Sequence, residues 1–176
     1  MMKKKKTDFE AGFWSGSSHH SVLGLLEAFF QFSDLAIVKE ALTAMMQCSV
    51  RKKSRIKEYP AEVFHLYLGL RSLVRACGVI AGNPEKWTVN FLPETHVPKP
   101  AMGALPEDEY RNPVRVFVRA FKAYSREEYD DFLSAMVYFS FSDSKCEEDK
   151  RIIGPYIHLV KMLDAAYLMV KRADKE

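Results

Sequence analysis

Glu62-Val63-Phe64-His65 sets a carboxylate and an imidazole three residues apart, a spacing that puts two metal ligands on one helix face. A dinuclear centre in a helical bundle also needs a second Glu-x-x-His and two further glutamates from other helices, and the sequence has no second copy. His19 and His20 are adjacent; neighbours on a helix point in different directions and chelate poorly. Cys48, Cys77 and Cys146 are widely spaced, with no Cys-x-x-Cys pair. That removes zinc-knuckle and thioredoxin chemistry and leaves reduced, mostly buried thiols as the expectation. A glycine-rich phosphate loop, a dinucleotide fingerprint, His-Glu-x-x-His and Gly-x-Ser-x-Gly are all missing. The reading therefore assigns no metal ligands and no cofactor.

Two other sets of residues are able to bind anions or act on them. Arg151 precedes His158 by seven positions, near the start of the last predicted helix. The Arg-x6-His spacing resembles the motif of HEPN ribonucleases, small helical bundles that cleave RNA at a dimer interface. The resemblance implies that Arg151 binds phosphate and His158 serves the chemistry. It covers eight residues and assigns the chain to no family. The second set is basic. Arg51-Lys52-Lys53-Ser54-Arg55-Ile56-Lys57 packs five cations into seven residues. Arg111, Arg115 and Arg119 recur every four residues with Lys122 close behind, and Arg71 and Arg75 form a similar pair. Four-residue spacing lines cations along one helix face, either as a solvated face or as an anion-binding surface for nucleic acid or an acidic protein. Acidic runs at Glu107-Asp108-Glu109, Glu127 to Asp131 and Glu147 to Asp149 offer the arginines internal partners instead.

These side chains need helices to carry them, and the periodicity supplies six. Val22, Leu25, Leu26, Phe29 and Phe30 fall at helical spacing between Ser21 and Phe32. Ser33 or Asp34 then caps a second helix, with Leu35, Val38, Leu42, Met45 and Met46 inward and its end near Cys48. Pro60 suits a first helical position; Val63, Tyr67, Leu70, Val74 and Cys77 form an apolar stripe, and Gly78 predicts the stop. Asn112-Pro113 opens a fourth helix with Val114, Phe117, Phe121 and Tyr124 inward. Ser125-Arg126-Glu127-Glu128 has capping-box spacing and starts a fifth, with Tyr129, Phe132, Leu133, Met136 and Val137 inward. Gly154-Pro155 predicts the start of the last, whose stripe is Tyr156, Leu159, Leu163, Tyr167 and Val170, with Lys171 and Arg172 favoured by the dipole of its final turn. Between Gly78 and Arg111 lies a long connection holding Pro84, Pro93, Pro98, Pro100 and Pro106. Within it Trp87 to Leu92 reads as a short extended piece, with Trp87, Phe91 and Leu92 pinning the loop to the bundle.

The chain of 176 residues is long enough for one domain with a real core. Its 48% hydrophobic and 12% aromatic content is that of a folded protein. Short links make antiparallel neighbours. The expected fold is an all-α bundle of five to six helices over residues 21–173, with a long Pro-containing connection at 78–111 and a loosely packed segment at 1–20. Lys3 to Lys6 lead into Thr7-Asp8-Phe9-Glu10 rather than an apolar stretch, so neither a signal peptide nor a membrane span is expected, and the location expected is cytoplasmic. A net charge of +3 is too small to argue for a nucleic-acid partner by itself. The functional expectation is a helical interaction module, without catalysis of its own, that pairs as a homodimer or with a protein partner. The alternative is a nucleic-acid-associated protein, with ribonuclease activity at Arg151 and His158.

Overall fold

A computed structural model describes residues 8–18, 21–50, 55–87, 103–147 and 149–173. Their order is α1 (Gly12–Ser15), α2 (Val22–Phe32), α3 (Leu35–Val50), α4 (Pro60–Gly82), a 3-10 turn (Pro84–Trp87), α5 (Glu107–Arg111), α6 (Val114–Ala123), α7 (Arg126–Phe141) and α8 (Asp149–Ala173). The all-α class holds, and no strand occurs among the described residues. The helices beyond the expected six are α1 and α5, of four and five residues, too short to carry a periodic stripe.

Helix α4 is the hub, packing against α2, α6 and α7 and, less extensively, α1 and α8. Its Leu70, Leu73, Val74, Ala76, Cys77 and Ile80 are fully buried. By length and composition α4 is the one helix among the described residues that is able to cross a membrane. Here it is a core helix, and its Arg71 and Arg75 are engaged. Arg71 Nε lies 3.4 Å from Asp130 Oδ1 of α7, and Arg75 Nη1 lies 3.0 Å from Glu10 Oε2. Helix α3 packs on α7 and α8, where Lys39 Nζ donates to the buried Asp164 Oδ1 at 2.7 Å. Burial pushes the Asp164 carboxyl up, against the opposing pull of Lys39.

Local signals account for most helix starts. Ser21 Oγ accepts from Gly24 N, and Asp34 Oδ1 from Ala36 N. The capping box at α7 is complete: Glu128 N donates to Ser125 Oγ and Ser125 N donates to Glu128 Oε2. Three expectations need correction. Gly78 does not stop α4, which runs on to Gly82. A Cβ at Gly78 would stand 3.3 Å from the Phe121 ring, so this glycine serves the approach of α6. Gly154-Pro155 does not open α8, which starts at Asp149 and carries Pro155 inside it. Ile152, only 3% exposed, lies in that added stretch, and its burial offsets the hydrogen bond that an internal proline forfeits. Finally, residues 8–18 are anchored to the core at three positions, although Gly16, Ser17 and Ser18 are exposed. Phe9, Ala11 and Trp14 are buried, and Trp14 Nε1 donates to Ser72 Oγ of α4 at 2.9 Å.

The long connection contains the 3-10 turn and α5, so it is not one structureless loop. Trp87 is half-buried against the core, as expected of a pin. The expectations for Phe91, Leu92 and the extended piece after Trp87 lie outside the described residues, as do those for His19 and His20.

Candidate functional site

Helix α6 buries Val116, Phe117 and Ala120, which leaves Arg115 and Arg119 on its outer side. The short acidic α5 meets them there. Arg119 Nη1 donates to Glu109 Oε1 at 2.6 Å and Nη2 to Asp108 Oδ2 at 2.9 Å. Arg115 Nη1 lies 3.7 Å from the same Asp108 oxygen. From α8, Lys161 Nζ donates to the other Glu109 oxygen at 2.9 Å. Glu109 is thus a buried carboxylate, 2% exposed, with both oxygens satisfied by cations from two helices. Arg172 completes the clasp, donating to Tyr110 O at 2.8 Å with its guanidinium over the Tyr110 ring. Burial alone would push Asp108 up, but the hydrogen bond and charge of Arg119, with the charge of Arg115, bring it below its ordinary value.

The other predicted cations are dispersed. Arg111 pairs with Glu107 one turn away, at 2.9 Å. Arg55 pairs with Asp143, just beyond α7, at 2.6 Å. Lys57 and Lys122 are exposed, and Arg51, Lys52 and Lys53 lie outside the described residues. The arginine series and Arg55 therefore serve different acidic partners. Beside Arg115 and Arg119 lies a groove of about 550 Å³, whose walls include Trp87, Asn112, Val114 and Val118.

Arg151 and His158 are two turns apart on α8. Arg151 is exposed and lines a groove of about 760 Å³ between α7 and α8, together with Tyr124, Phe132, Lys145, Cys146 and Pro155. The His158 ring meets that of Tyr124, which lines this groove, at 5.7 Å between centroids. Burial and the nearby Lys161 lower the His158 pKa, and Glu109 opposes them.

Glu62 and His65 are both exposed. Among the described residues no three His, Cys, Asp or Glu side chains gather as a metal site. Instead the two line a groove of about 240 Å³ with Trp14, Phe29 and Phe32. Phe13 meets Phe64 at 6.3 Å and His65 at 5.7 Å between ring centroids, and Trp14 meets Phe32 at 6.1 Å. Phe13, Phe32 and Phe64 are 68%, 62% and 45% exposed. The sequence reading singled out none of the three, nor Glu109 or Lys161 as a pair. Phe64 was findable, because it stands beside Val63 and off the α4 stripe. Lys161 carries no such signal.

Compared with known proteins, the chain matches no family model, no curated protein and no solved structure. What the fold and sites define is an all-α bundle with one charge-clasped corner and one exposed aromatic face.

Proposed function

We infer that the protein is a helical interaction module without catalysis of its own, acting as a homodimer through the aromatic face of α1, α2 and α4. The observation that carries this reading is the contact chain Phe64–Phe13–His65 beside Trp14–Phe32, three of whose phenylalanines are about half exposed or more. Contiguous apolar surface of this kind on a bundle marks an interaction site. The partner proposed is a second copy. Two-fold dimers use one patch twice, and Glu62 and His65, side by side on the rim, are able to pair reciprocally across a two-fold axis. Cys48 and Cys77 are buried thiols outside any disulfide, which suits a reducing compartment, and the cytoplasm is the proposed location. The test is light scattering on the wild type and on the Phe13→Ser, Phe64→Ser double variant. A dimeric wild type and a monomeric, folded variant support the reading.

A second reading rests on the α7–α8 groove, where Arg151 stands two turns from His158 on α8. If it serves RNA cleavage, His158→Ala abolishes cleavage with binding retained, and Arg151→Ala damages cleavage. No cleavage of structured or single-stranded RNA by the wild type removes that reading.

A further inference from the structure

The groove beside α6 combines groups that neither the interaction reading nor the ribonuclease reading uses. One wall is the indole of Trp87, half-buried against the core and presented by the 3-10 turn. The other is α6, with Val114 and the 38%-exposed Val118 as an apolar strip flanked by Arg115 and Arg119. Asn112 adds an amide that both donates and accepts. An aromatic plane, an apolar strip and paired guanidiniums along one cleft are what a base joined to a phosphate requires. We propose that this groove binds a nucleoside phosphate, with the base on Trp87 and the phosphate on Arg115 and Arg119.

The acidic corner shapes such a site. The two arginine side chains remain over half exposed while Asp108 and Glu109 hold Arg119 in a fixed orientation through one contact on each terminal nitrogen. An arginine has five N–H donors, so Arg119 keeps donors for a ligand after serving both carboxylates. Asp108 also cancels part of the local positive field, which weakens capture of polyanions without a stackable base.

The ligand chemistry is shared by a free nucleotide and by one unit of a single strand, and titrations of the full chain separate them. The chain has two tryptophans. Trp14 is buried and hydrogen-bonded to Ser72, so quenching by a stacked base reports Trp87. Expected is quenching by AMP that weakens with salt, while adenosine and inorganic phosphate each bind at least about tenfold more weakly, each lacking one half of the recognition. Arg115→Ala with Arg119→Ala should weaken AMP at least about tenfold, Trp87→Phe should remove the quench, and Asp108→Asn should tighten binding. A ten-nucleotide oligomer of A that binds more tightly than AMP assigns the groove to strands; equal affinity assigns it to the free nucleotide. No quench by AMP or oligomer up to about 1 mM, or an unchanged response in the folded double-arginine variant, overturns the proposal.

Discussion

Gly154 is where α8 admits the Tyr124 ring: a Cβ there would overlap the Tyr124 hydroxyl, with the ring carbon behind it at 3.0 Å. Gly154→Ala should therefore destabilise the fold by about 1–3 kcal/mol, the usual cost of overpacking. Tyr124→Phe in the same chain should restore part of the loss by removing the overlapping oxygen. Denaturant midpoints of the three proteins decide this. His158, packed beside that ring, carries a second prediction. Its pKa is lowered in the folded state by burial and Lys161, so the unfolded chain takes up a proton first as pH falls. The stability linked to this group is complete above the ordinary histidine value of 6.5 and declines as pH drops below it. Thermal midpoints of the wild type should fall more steeply below that value than those of His158→Gln; parallel curves would contradict the assignment. At this scale only part of the structure is legible in the sequence. Gly78 and Gly154 both read as helix punctuation, because a glycine signals a stop locally and a close approach only through a distant ring.

Helix α5 has five residues, too few to persist alone. It stays in place because Glu109 joins α6 to α8 and Arg172 grips the carbonyls of Tyr110 and Arg111. Glu109→Ala leaves Arg119, still paired with Asp108, and the part-buried Lys161 without their shared acceptor, and losing such charge-assisted hydrogen bonds costs about 1.5–3 kcal/mol. We expect that loss in chemical denaturation, together with faster proteolysis between residues 103 and 112. A variant as stable and as resistant as the wild type would show that the clasp does not hold α5. The cap of α7 is simpler: Ser125→Ala should cost about 1 kcal/mol. The capping box was legible because Ser125 and Glu128 are local, three residues apart. The clasp was legible only in half. The acidic run and the arginine series were visible as partners, but Lys161 lies 52 residues from Glu109, and nothing local links them.

Across the whole molecule, one buried cluster extends from Phe9 to Val170 through α2, α3, α4, α6, α7 and α8. Its stripes were readable at 3.6-residue spacing because each of these helices shows one apolar side to its neighbours. What lay beyond that reading is what lies off the stripes: the seating of Trp14 under α4, and the gathering of Phe13, Phe32 and Phe64 from three helices onto one face. That face carries the central claim, that this bundle buries surplus aromatic surface against a copy of itself. The most direct measurement is light scattering across micromolar concentrations, for the wild type and the Phe13→Ser, Phe64→Ser variant, with circular dichroism to show that both are helical. The account predicts about 40 kDa for the wild type, twice the 20.2 kDa of one chain, and one chain's mass for the variant. A wild type that stays at one chain's mass throughout, or a folded variant that remains a dimer, would contradict it.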